Sequence, residues 1–213
     1  MNYFLGLVKK EFIEIRYSYK SLLFMMVMFA VCLYIAQTEI TVMNNVNNIC
    51  YIITFMASMV VPLQFLSESI LSDKINQTFE RYFVSGSIKI IMFAKYFALS
   101  VLFFVPFIVF YIYFSMNGIN VINTVYVLIN TPLYYWIGLC MATIISFILN
   151  DEKSLGLGCI PCLLAVIGLI YLNHFIETSY NPIFSCIITL VCAVVFTFIA
   201  YKFYKNTKYF LKL

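Results

Sequence analysis

Charge is what this sequence has least of. Only 10% of its 213 residues are Asp, Glu, Lys or Arg, against 64% hydrophobic ones; soluble domains carry about 25% charged residues and at most about half apolar ones. A water-soluble globule of this size has no interior large enough for so much apolar surface, which excludes a soluble enzyme or binding domain. Histidine is reduced to His174, which excludes a zinc site built on two histidines at helical spacing. The seven glycines include no G-x-x-x-x-G-K-[ST] loop, so the chain cannot cradle a triphosphate in that way. The seven cysteines are odd in number and scattered through apolar runs, unlike a secreted disulfide framework. No cleavable signal peptide is evident: the first long apolar run starts near Ser21, with no Ala-x-Ala pattern after it.

Long apolar runs are what the sequence has instead. Six candidate spans can be drawn: Ser21–Thr38, Ile49–Leu71, Ile88–Phe114, Val121–Leu149, Leu155–Leu172 and Pro182–Tyr204. The expected fold is an all-α polytopic membrane protein with six transmembrane helices. Pro106 and Thr131-Pro132 are candidate kinks in the two longest runs. If the N-terminus is cytoplasmic, all 13 Lys and Arg residues fall on that side. The other side keeps Glu39, Glu177, His174 and the loop of Asn44, Asn45, Asn47 and Asn48. The positive-inside rule then puts both termini in the cytoplasm. Basic residues placed beside spans rather than in a patch argue against nucleic acid.

Residues 1–20 lie ahead of the first span. On a helical wheel Phe4, Leu5, Val8, Phe12, Ile15 and Tyr19 share an arc of about 100°, bordered by Lys9, Arg16 and Lys20. Glu11 and Glu14 fall on the far side, the side expected to face water. The pattern predicts a helix lying in the membrane surface, or an amphipathic helix packed on protein. The span region covers 21–204, and 205–213 form a basic tail.

Between the second and third spans, over 72–86, Ser72 or Asp73 can start a helix and Gly86 can end one. Ile75, Phe79, Tyr82 and Phe83 make one apolar face, while Lys74, Gln77, Glu80 and Arg81 make the other. Such a helix suits docking of a cytoplasmic partner, or equally a solvated rest on the bilayer.

The stretch Glu68-x-x-x-x-Asp73-Lys74-x-x-x-Thr78-x-Glu80-Arg81, then Ser85-Gly86-Ser87 and Lys95, is similar to the matching connection of the type-2 permease family of ATP-binding cassette (ABC) transporters. Phe79 stands where an aliphatic residue is common there, and Ser87 near a frequent proline. The order of parts resembles that family along essentially the whole chain. The resemblance implies an N-terminal interfacial elbow helix, six spans, and a coupling helix near 72–86 that seats in a separate ATPase. Asp73, Lys74, Ile75, Gln77, Phe79, Glu80, Arg81 and Phe83 are then the partner-binding residues. It implies no cofactor on this chain, ATP and Mg on the partner ATPase, and a second permease subunit, identical or similar. The expected activity is export of a hydrophobic or amphipathic substrate, a peptide such as a bacteriocin or toxin, or a drug, across a bacterial plasma membrane.

Other residues carry weaker signals. Glu68 is the most membrane-immersed acid, a pathway candidate or a partner for Lys74 or Arg81. Tyr134, Tyr135 and Trp136, at mid-span, could line a path or fill a core. Cys159-x-x-Cys162 lacks neighbours that would stabilise a thiolate and reads as packing. Asp151-Glu152-Lys153 is a partner contact or a charged turn. Two rival classes, an intramembrane enzyme and a proton-coupled carrier, are weakened by the lack of paired acids in any span.

Overall fold

The computed structural model describes residues 2–17, 62–63, 65–76, 89–102, 121–148, 164, 168, 172 and 182–206. All of them but the turn at Asn76 are helical. The elements are α1 (Asn2–Tyr17), α2 (described over 62–63 and 65–75), α3 (described over 89–102), α4 (Val121–Ile148) and α5 (Pro182–Asn206). The fold is all-α and membrane-associated, and α4 and α5 are each long and apolar enough to cross a bilayer.

Three helices build the main core. Phe65, Leu66 and Ile70 of α2 meet Met92 and Leu99 of α3 and Tyr135, Leu139, Ala142 and Phe147 of α4. Leu66 and Ile70, Met92 and Leu99, and Tyr135, Leu139 and Ala142 have the i, i+4 and i, i+7 spacings of one helix stripe, with Phe65 and Phe147 flanking it. A smaller cluster joins α1 to α3: Val8 packs on Ala94 and Ala98, with Phe4, Leu7 and Phe12 around it. The two alanines let the helices approach, and Phe4 then reaches the rings of Phe93 and Phe97, with centroids 5.8 and 5.9 Å away.

α5 is built the other way round from a helix in water. Its buried positions are Ser185, Thr189, Ala193 and Ala200, while Ile183, Phe184, Leu190, Val194 and Phe198 are exposed. Small residues at spacings of four let α5 lie close against α4, the packing that works when the surroundings are as apolar as the side chains. The hydroxyls inside the span fold back on their own helix: Thr189 donates to the Ser185 carbonyl, Thr197 to Ala193, Thr143 to Leu139 and Ser146 to Ala142. Each thereby avoids an unmet donor in a place without water. A face of such bulk and apolarity, turned outward, requires lipid or another apolar partner around it.

Candidate functional site

The chemistry-bearing residues of this chain converge where α1, α2, α3 and the end of α4 come together. At the centre is Lys95, near the start of α3, only 1% exposed. An ammonium has three protons to give and cannot be left unpaired in such a place. Its Nζ lies 2.9 Å from Glu11 Oε1 on α1 and 2.8 Å from Asp73 Oδ2 on α2. It also donates to Ser69 Oγ, and Ser69 in turn donates to Glu11 Oε2 at 3.2 Å. The three donors are thus matched by two carboxylates and one hydroxyl, drawn from two helices.

Glu11 and Asp73 are themselves buried. Lys10 supports the outer edge, its Nζ 3.5 Å from Asp73 Oδ1 and 3.1 Å from Glu14 Oε1. Burial pushes the Glu11 carboxyl above its ordinary value; Lys95 opposes that rise, and Glu14 and Asp73 add to it. Glu11 does not face water as expected: at roughly 100° per residue it stands about 20° from Phe4, beside the apolar arc rather than across from it. Val8 and Glu11 are the buried positions among the described side chains of that helix, and Leu5, on the apolar arc, is exposed. A partner 84 residues away makes that inward place tenable for a carboxylate: Lys95 neutralises it there.

The next residue after Asp73 turns the opposite way. Lys74 donates to the carbonyls of Ser146 and Phe147, 3.3 Å each, in the last turn of α4. Those carbonyls have no partner within their own helix, and a positive charge there complements the helix dipole. Burial lowers the Lys74 ammonium from its ordinary value. α2 ends immediately afterwards, with the Asn76 N–H bonded to the Ser72 carbonyl at 3.0 Å. The dipeptide Asp73–Lys74 therefore ties the end of α2 to α1 and α3 on one side and to α4 on the other.

Ile75 is exposed at the tip of α2, while Gln77, Phe79, Glu80, Arg81 and Phe83 lie outside the described residues. His174, Cys159, Cys162 and the Asp151–Lys153 turn lie outside them too. Glu68 is half-buried on α2. Tyr134 and Tyr135 are buried within the helix packing of the chain, whereas Trp136 is 38% exposed. Its indole donates to Thr197 Oγ1 of α5 at 2.7 Å, and its ring meets Tyr96 edge-on, with centroids 5.8 Å apart. Tyr96 is in turn hydrogen-bonded to Thr143. Tyr135 belongs to the same core cluster as Phe65, Leu66 and Ile70 of α2, the helix that carries Glu68. The sequence motifs missed Glu11 and Ser69; Lys95 closed the quoted motif, but its burial between two acids was not foreseen. The available signal was Lys95 itself, a lysine seven residues into an apolar run.

The family model described as ABC-2 family transporter protein matches residues 34–209. Neither the curated proteins nor the solved structures gave a match to the chain. With most of its length matched, the chain belongs to the ABC-2 transporter family, as a multi-pass membrane permease subunit.

Proposed function

We propose that this permease is the transmembrane half of an ABC exporter, working as a pair with a second permease subunit, identical or similar. It would move a hydrophobic or amphipathic substrate, a peptide such as a bacteriocin or toxin ahead of a drug, out through a bacterial plasma membrane. ATP and Mg are handled by a separate ATPase subunit, and six spans with both termini in the cytoplasm form the path. The observation that carries this function is the junction at Asp73–Lys74. It stands where the segment expected to seat in the ATPase leaves α2, and it is bonded to α1, α3 and α4 at once. A push on that segment is then delivered to four helices rather than absorbed by one loop. Compact loops on the outer side favour a substrate that leaves through the span region itself.

The buried Glu11–Lys95–Asp73 group favours a second function, a proton-coupled carrier, since ionisable side chains inside a membrane protein commonly mark proton paths. Its place beside the last turns of α2 and α4, rather than at mid-span, favours the exporter. Replacing Glu80, Arg81 and Phe83 together by alanine tests the choice. The exporter requires the variant to assemble in the membrane yet lose its ATPase subunit and its transport; unchanged assembly with the ATPase and unchanged transport would count against the coupling segment.

A further inference from the structure

α4 carries a second feature that the junction does not explain. Asn130 and Thr131 are fully buried in it. Neither the amide nitrogen and oxygen of Asn130 nor the hydroxyl of Thr131 has a hydrogen-bond partner among the described residues. Two other hydroxyls of α4, those of Thr143 and Ser146, are satisfied on their own backbone. The next residue is Pro132, inside the helix. It has no N–H to offer the carbonyl of Leu128, and its ring crowds that same carbonyl. Three consecutive residues thus leave hydrogen-bonding capacity unmet in a membrane helix, where water cannot make up the loss. Buried polar groups are almost always bonded, and a cluster that is not marks stored strain.

We infer that Asn130–Thr131–Pro132 is the hinge of α4, and that the arrangement seen here is one of two. In the second, α4 bends at Pro132 and the Asn130 amide and Thr131 hydroxyl acquire partners. Sharp bends in helices occur at prolines for this reason. The far end of the same helix is where Lys74 holds the Ser146 and Phe147 carbonyls. From Pro132 to Phe147 is roughly 22 Å of helix at 1.5 Å per residue, so a tilt of about 10° moves that end by about 4 Å. A displacement of that size at the junction is enough to bend the hinge, and the unmet groups lower the resistance to it. The inference rests on the exporter function only for what drives the bend.

Two measurements test it. The first uses the purified chain in detergent: Asn130→Leu with Thr131→Val should raise the thermal midpoint by several degrees, because unmet polar groups are exchanged for apolar ones of similar size. A fall in the midpoint would mean that both side chains are satisfied, and would overturn the hinge. The second uses the complex with the ATPase subunit in lipid nanodiscs, reading backbone hydrogen exchange over 128–135 without nucleotide and with ATP plus vanadate. The wild type should change several-fold between the two conditions, and both the double variant and Pro132→Ala should lose most of that change. A full change retained in both variants would overturn the inference. If no ATPase stays on the wild-type chain, the exporter function fails, and the midpoint alone decides the hinge.

Discussion

At the junction of α1, α2 and α3 the helices are joined through one buried ammonium and two carboxylates. Along α4 and α5 they are joined by small residues and by hydroxyls that bond to their own helix. The two seams answer to different surroundings. Beside the ends of the helices water is near enough for charged groups to be held in pairs. Within the span a charge has no such refuge, and close approach of backbones replaces it. Burial follows the same logic. Of the two helices among the described residues that are long and apolar enough to span, α5 is the more apolar, yet only 22% of it is buried, against 72% for α4. In water the order would be reversed, so lipid rather than the protein interior is the apolar phase this chain is built for.

The contrast is broken most severely at Lys95. Lys95→Met should cost about 3–5 kcal/mol, because it strands the Glu11 and Asp73 charges in a buried place; detergent unfolding curves would register it as a large loss of midpoint. Adding Glu11→Gln and Asp73→Asn to that variant should return most of the loss, since a charge-free junction packs without strain. If the triple variant is no better than the single, the junction is held by something other than charge balance. In the other seam, Ala193→Leu should cost about 1–3 kcal/mol by forcing α5 off α4, whereas Val194→Leu, one residue on and lipid-facing, should leave the unfolding curve where it was. Thr197→Val removes the acceptor of the Trp136 indole and should cost about 0.6 kcal/mol, the average for hydrogen bonds between membrane helices.

The smallest effect concerns pH. Burial raises the Glu11 carboxyl above its ordinary value of 4.5, so the folded chain binds that proton more tightly than the unfolded one. The stability it contributes is complete below the unfolded value and is lost as pH rises through the folded one. Wild type should therefore lose midpoint relative to Glu11→Gln as pH rises from 4.5 through the weakly acid range. Parallel curves for the two proteins across that range would show that Glu11 titrates normally.

The two expected spans that became α4 and α5 were legible because membrane helices announce themselves locally. The run Val121–Leu149 became α4, described over Val121–Ile148, and the run from Pro182 became α5, which continues to Asn206. Twenty apolar residues in a row need no distant partner to be recognised. The junction was not legible in the same way. Glu11 was set with the solvated residues although its wheel position borders the apolar arc, and the lysine that neutralises it there stands on another helix. Lys95 was counted with the basic residues that set orientation, although its depth in an apolar run already demanded an acid nearby. Asp73 and Lys74 drew notice through their place in a motif, but the opposite directions in which they point depend on how three other helices pack.

The most direct test of the central claim is purification of the tagged chain from its native host in mild detergent, with identification and counting of what stays bound. An ABC exporter requires an ATP-binding cassette subunit at about one copy per permease, lost when Glu80, Arg81 and Phe83 are replaced. A stable lone chain, reproducibly free of any ATPase, would contradict it and return attention to the buried Glu11–Lys95–Asp73 group as part of a carrier.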